Sequence, residues 1–365
     1  LDTLTHALSG ALLARALTPS QPATTVAPAH STRQRAFGPS VPVWQAVVVG
    51  TVAATFPDSD VVLKYVSDLA YLRGHRGITH SLVMLPLWSL LLGALAALAF
   101  RHRAGWRRYT WIAAAAIAIH IAGDWITQFG TMLLAPLSDT RFGLGSTFII
   151  DLVFSGIIVA GLVGSALLRR SRVPSLLALA LLPAWVGVSL VGKGEAIEFA
   201  RNWAVQNNIA AERIDASPRP ASPFNWTVYV FDGNAYHVAH VNTRRTEPLV
   251  ARDDDHFIRR FSAPYQPLSQ ARWERLPKFG TEDISLAREV WQHPQFDFFR
   301  WFAMYPLVYR IDIGAAGTCV WYRDLRFSFP GRDATPFRFG LCRSGPDRTW
   351  SLFALDDIAG RAALR

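Results

Sequence analysis

Apolar residues run almost unbroken through four stretches of this chain, residues 81–100, 109–126, 148–168 and 174–192. Each is close to the roughly 20 residues that carry a helix across a bilayer. Two shorter apolar stretches, residues 4–17 and 43–56, have lengths that suit short spans, tilted helices or re-entrant pieces. Together they predict about six apolar helices. After about residue 194 the pattern changes: in residues 226–231, 236–241, 307–313 and 319–327, aromatic and β-branched residues alternate with polar ones, which predicts strands. Asp232-Gly233-Asn234 and Pro330-Gly331-Arg332-Asp333 mark turns between such runs. The pattern predicts an α-helical polytopic membrane domain over residues 1–193, a helical connector over 194–212 and a β-rich soluble domain over 213–365. Residues 18–42, rich in Pro, Ser and Thr, read as a flexible loop. The first apolar stretch lacks the basic leader and cleavage site of a signal peptide, so it reads as retained structure.

Charge orients these helices. Arg15, then Arg33 and Arg35, then Arg101, Arg103, Arg107 and Arg108, then Arg169, Arg170 and Arg172 flank the apolar runs, with no acidic residue among them. The positive-inside rule makes those loops cytoplasmic. The acidic residues before Glu195, namely Asp2, Asp58, Asp60, Asp68, Asp124, Asp139 and Asp151, then fall towards the outer side, with His6, His75, His80 and His120. The expected place is a bacterial inner membrane crossed several times, with the C-terminal domain periplasmic and the lipid bilayer as its partner. Most of the formal net charge of +10 belongs to membrane-flanking arginines, which argues against a nucleic-acid partner. Cys319 and Cys342 are the two cysteines; they pair if the last domain faces an oxidising compartment, or are two buried thiols.

Ionisable groups are expensive beside hydrocarbon, so those in the first half mark candidate chemistry. His120-Ile-Ala-Gly-Asp124 sets two metal-binding groups at i and i+4 on one helix face. Phe56-Pro57-Asp58-Ser59-Asp60 ends an apolar run with two carboxylates. His75-Arg76-Gly77-Ile78-Thr79-His80-Ser81 brings two imidazoles, a guanidinium and two hydroxyls to the start of a long apolar helix, where an anion can meet backbone donors. His6 and Asp151 are lone polar residues in apolar surroundings. A divalent cation would satisfy several such groups at once. His237 and His240, three apart in a strand, point to opposite faces and are set aside.

The order of motifs, "DTLTHALSG", "FPDSD", "HRGITHS", "HIAGDWITQFGTMLLAPLSD" and "FIID", resembles the bacterial inner-membrane metal-dependent hydrolases of the YdjM-like, LexA-regulated group, over roughly residues 1–165. The resemblance implies a membrane-embedded protein with a hydrolytic metal centre. The "HIAGD" helix is also similar to the metal-binding helix of zinc-dependent phospholipases C, an analogy that favours phosphoester chemistry.

The residues and the resemblance lead to one expectation: a membrane-bound metal-dependent hydrolase acting at the outer face on a phosphoester or an amphiphilic, lipid-linked substrate. His6, Asp58, His75, His80, His120, Asp124 and Asp151 form the pool of metal ligands. Asp60 would accept a proton from water and Arg76 would hold the anionic substrate. Zinc suits mixed imidazole and carboxylate best, with manganese and iron as alternatives. Two other readings compete: a metal transporter or sensor, and a structural metal in a protein whose β domain binds a partner of unknown identity.

Overall fold

The structure is a computed structural model that describes residues 1–19, 40–314, 317–332, 335–343, 349–356 and 360–364. Most of the expected loop over 18–42, with Arg33 and Arg35, lies outside the described residues, as does Asp333. The chain forms two compact units. Leu1–Val66 with Gly74–Leu190 make the first, and Ser67–Arg73 with Val191–Arg365 make the second.

The first unit is helical. Its elements are α1 (Thr3–Leu17), α2 (Val43–Thr55) continuing into a 3-10 helix (Phe56–Tyr65), a 3-10 turn (Ile78–His80), and then the helices numbered α4 (Leu85–Ala99), α5 (Trp106–Trp125) and α6 (Leu152–Leu167). The short α3 (Asp68–Gly74) lies between, its residues to Arg73 belonging to the second unit. The long α7 (Val173–Gln206) begins in the first unit and continues into the second.

α1 and α2 pack with glycine against glycine. A Cβ on Gly10 would collide with the Gly50 carbonyl and the Ala54 side chain, so the two backbones touch only because both positions lack one. α5 is the centre of the unit: Tyr109, Ile112, Ala113, Ala116, Ile117 and Ile121 are buried against Ala14 of α1 and Ala46, Val49, Ala53 and Ala54 of α2.

Two helices are long and apolar enough to cross a membrane, Val43–Tyr65 and Val173–Gln206. A third crossing results if Asp68–His80 and Leu85–Ala99, bent by 77°, form one broken span. The expected six apolar helices are therefore corrected to two or three candidate spans among the described residues. The reason is geometric. α1 has 15 residues and α6 has 16, which at 1.5 Å per residue reach about 22–24 Å, short of a hydrocarbon core of roughly 30 Å. α5 has the length but carries Arg107, Arg108, His120 and Asp124, and much of its apolar surface faces other helices.

The second unit is β-rich, as the alternating pattern requires. β1 (Arg213–Pro218), β2 (Asn225–Phe231) and β3 (Ala235–Asn242) form an antiparallel meander; β5 (Trp273–Pro277) pairs antiparallel with β3, and the two-residue β4 (Gln266–Pro267) pairs parallel with it. Ala196, Ala200 and Ala204, four apart along α7, lay one small-residue face on Trp226, Val228, Val230, Ala239 and Val241 of this sheet. A second, antiparallel sheet runs β10-β9-β8-β7-β6, built from β6 (Pro306–Gly314), β7 (Gly317–Asp324), β8 (Phe339–Arg343), β9 (Ser351–Asp356) and β10 (Gly360–Ala363). The short helix α8 (Phe257–Ser262) lies between β3 and β4, and α9 (Ile284–Gln292) and α10 (Asp297–Phe302) lie between the two sheets in the chain. Cys319 and Cys342 stand opposite each other in the β7–β8 register and form a disulfide.

Candidate metal centre

Three helix ends and a loop converge at one end of the helical unit. Pro57 cannot supply the amide that an α-helix needs, so α2 gives way to the 3-10 helix from Phe56. With three residues per turn, positions two apart look in different directions, and Asp58 and Asp60 separate accordingly. The loop after α3 is held by its own backbone. Arg76 has φ of 59°, a left-handed conformation rarely adopted by residues with a side chain. Its N–H donates to Asp60 Oδ2 at 2.9 Å and its carbonyl accepts from Met132 N at 2.9 Å. This fixes His75 on one side and His80 on the other.

Asp58, His80, His120 and Asp124 each bring one ligand atom to within 4.8 Å of all the others. His80 Nε2 lies 3.0 Å from His120 Nε2, 3.2 Å from Asp124 Oδ2 and 3.7 Å from Asp58 Oδ1. His120 Nε2 lies 3.5 Å from Asp124 Oδ2 and 3.6 Å from Asp58 Oδ1. Ligands about 2.0–2.1 Å from a tetrahedral ion are separated by about 3.3–3.4 Å, the middle of that range.

The far atom of each of these four groups is occupied by protein. His120 Nδ1 is 2.6 Å from the Ala54 carbonyl, which can only accept, so Nδ1 carries the proton and Nε2 presents a lone pair. His80 Nδ1 meets Thr79 Oγ1 at 3.0 Å and lies 3.6 Å from Asp60 Oδ2. Asp58 Oδ2 accepts from Thr3 Oγ1 at 2.7 Å. Asp124 Oδ1 faces Arg76 Nη2 at 2.9 Å and His6 Nε2 at 3.1 Å. Its Oδ2 is buried with no hydrogen-bond donor. Outer partners of this kind orient metal ligands and set their protonation.

Asp124, His80 and His120 are at most 1% exposed, whereas Asp58 is 21% exposed and forms the solvent side.

The remaining expected residues take other places. His6 packs its ring on His120, centroids 3.7 Å apart, and supports Asp124. A Cβ on Gly123 would press on His6 Cε1 at 3.2 Å, which gives the glycine of "HIAGD" its role. His75 directs Nδ1 to Asp60 at 3.0 Å, outside the group of four. Asp60, expected to be a free carboxylate, is buried and engaged by His75 and the Arg76 amide. Arg76, expected to face a substrate anion, directs its guanidinium to Asp124 and to Thr127 Oγ1 at 2.9 Å. Asp151 is the N-cap of α6, accepting from Val153 N, Phe154 N and Trp185 Nε1, and the group of four does not include it. Thr3, Thr127 and the Ala54 carbonyl escaped the sequence reading. Thr3 lies inside the "DTLTH" motif, but a backbone carbonyl leaves no mark in a sequence.

The profile of the YdjM inner membrane protein family matches residues 1–196. The chain is also 27% identical over 194 residues to YfhP of Bacillus subtilis (strain 168), itself uncharacterized; the alignment covers 53% of this chain and 58% of that protein. No solved structure matches. The matched region spans α1 to α6, most of α7 and every residue of the candidate metal centre, and the chain belongs to the YdjM inner membrane protein family.

Proposed function

We propose that this protein is a membrane-bound metal-dependent hydrolase whose ligands are Asp58, His80, His120 and Asp124. One observation carries the reading: four near atoms lie within 4.8 Å of one another, with both imidazole nitrogens 3.0–3.7 Å from their neighbours and so close to tetrahedral spacing, while their far atoms are held by protein partners. A divalent cation bound there, zinc first and manganese or iron next, supplies Lewis acidity and lowers the pKa of water. His6 and Arg76 hold Asp124, while Asp60 holds His75 and the Arg76 backbone. Substrate reaches the group from the Asp58 side, the only member of the four with solvent access. Exposed Leu4, Val61 and Val62, neighbours of Thr3 and Asp58 in the chain, suit an amphiphilic phosphoester whose apolar part stays in lipid.

The arginine end of the helical unit faces the cytoplasm in this reading, and the domain over residues 213–365 faces the periplasm. The Cys319–Cys342 disulfide supports that side, because disulfides persist in oxidising compartments. One observation favours a second reading. Four protein ligands close a tetrahedral shell, which is typical of structural metals. Asp58→Ala separates the two. For an enzyme it changes turnover of a lipid-phosphate panel while the chain stays folded; for a structural site it lowers thermal stability and no wild-type turnover is found. Absence of metal from purified protein, with no change on His80→Ala and Asp124→Ala, refutes both.

A further inference from the structure

The opposite end of the helical unit gathers positive charge. Arg15, at the end of α1, donates from Nη1 to the Thr18 carbonyl at 3.2 Å and from Nη2 to the Arg169 and Ser171 carbonyls at 2.9 and 2.8 Å. Arg172 Nη1 donates to the Ala16 carbonyl at 3.3 Å, and Arg108 Nη2 to the Leu17 carbonyl at 2.8 Å. Three guanidiniums from three segments thus meet on residues 16–18, with Arg169 and Arg170 in the adjoining turn.

These bonds are to carbonyls, and residues 96–110 and 166–173 contain no acidic residue. The ends of α1 and α6 contribute about half a negative charge each, and the starts of α5 and α7 about half a positive charge each, so the helix dipoles cancel. The carboxylates of this unit lie elsewhere along the chain. Asp2 starts α1 and Arg15 closes it, 13 residues or about 20 Å away. Asp124 ends α5 while Arg108 opens it, and Asp151 caps the start of α6, whose far end meets Arg15. Residues 18–42 contain no acidic residue.

We propose that this end is a binding site for the phosphate of an anionic phospholipid headgroup. Arginines at the ends of apolar helices lie at headgroup depth, and the guanidinium fork matches phosphate oxygens. Arg15, only 6% exposed, shapes the floor, while the half-buried Arg108 and Arg172 reach the ligand.

The test uses the full chain in nanodiscs of phosphatidylcholine mixed with phosphatidylglycerol, with retained lipid counted by native mass spectrometry. The wild type retains phosphatidylglycerol preferentially. Arg108→Gln/Arg172→Gln loses that preference, roughly fivefold for each arginine. Arg101→Gln/Arg103→Gln removes the same charge from the neighbouring turn and leaves retention unchanged. Should the double variant fail to fold, Arg172→Gln alone shows the single step. Equal loss in the control pair overturns the site in favour of diffuse attraction, and equal retention of both lipids overturns it outright. Displacement of phosphatidylglycerol by inorganic phosphate alone overturns the lipid assignment in favour of a free anion.

Discussion

Asp60→Asn tests the division of labour around the candidate metal centre. The Asp60 carboxylate is buried, 3.0 Å from His75 Nδ1, 2.9 Å from the Arg76 amide and 3.6 Å from His80 Nδ1, yet it is not one of the four converging groups. The amide keeps the shape and one acceptor oxygen, so the Arg76 N–H stays satisfied. What is lost is the negative charge that favours an Nδ1 proton on His80 and makes its Nε2 a better ligand. Loss of such an outer partner costs about 10–100-fold in metal affinity, or about 1.4–2.7 kcal/mol. Loss of a ligand, as in Asp124→Asn, costs more, because it leaves the Arg76 guanidinium buried without its carboxylate. Competition against a chelating dye in detergent, with zinc and then manganese, measures both. An Asp60→Asn loss as large as that of Asp124→Asn would make Asp60 a ligand, and an unchanged affinity would make it a bystander. Either result refutes the arrangement.

Gly10→Ala forces the α1 and α2 backbones apart and costs about 1–3 kcal/mol, read as a lower melting temperature in detergent, whereas Gly156→Ala, with open space around it, costs far less. Burial, and then the Arg219 guanidinium, push the His240 imidazole down to about 3. The unfolded chain takes up that proton first, so the stabilising effect is present above pH 6.5 and lost as pH falls; His240→Gln therefore flattens the pH profile by about 2 kcal/mol between pH 6.5 and 5. Asp232, held below the usual carboxylate range by the Ala235 and Asn234 amides and His237, stabilises above about pH 4 and loses its contribution only under more acidic conditions, outside that window. Reducing Cys319–Cys342, which closes a loop of 23 residues, costs about 3 kcal/mol, visible as a reductant-dependent melting shift that Cys319→Ala/Cys342→Ala abolishes.

Much of the converging group was legible because its four residues come from short motifs. His120 and Asp124 share a helix face by spacing alone, and Asp58 and His80 lie where apolar runs end or begin. Which members of the larger pool converge was not legible. Asp58 and Asp60 lie two positions apart on a 3-10 helix, and the conformation of Arg76 decides how His75 and His80 diverge. Asp151 shows the limit of reading polarity as chemistry, since a carboxylate before an apolar helix is also an N-cap. The span count failed for a related reason: an apolar run does not say whether its residues face lipid or another helix, and α5 faces other helices. The strands over 226–231 and 307–313 were readable from alternation. The opposition of Cys319 and Cys342 was not, because register depends on the long connection over residues 325–338.

The central claim is that Asp58, His80, His120 and Asp124 together hold one divalent cation. X-ray absorption spectroscopy on the purified, metal-loaded protein, with elemental analysis of the same sample, tests it most directly. The account predicts one ion per chain with two imidazole and two carboxylate ligands at about 2.0–2.2 Å, a further oxygen where a water is bound, and loss of the ion in His80→Ala/His120→Ala. An ion without imidazole ligands, or one retained by that double variant, would contradict it.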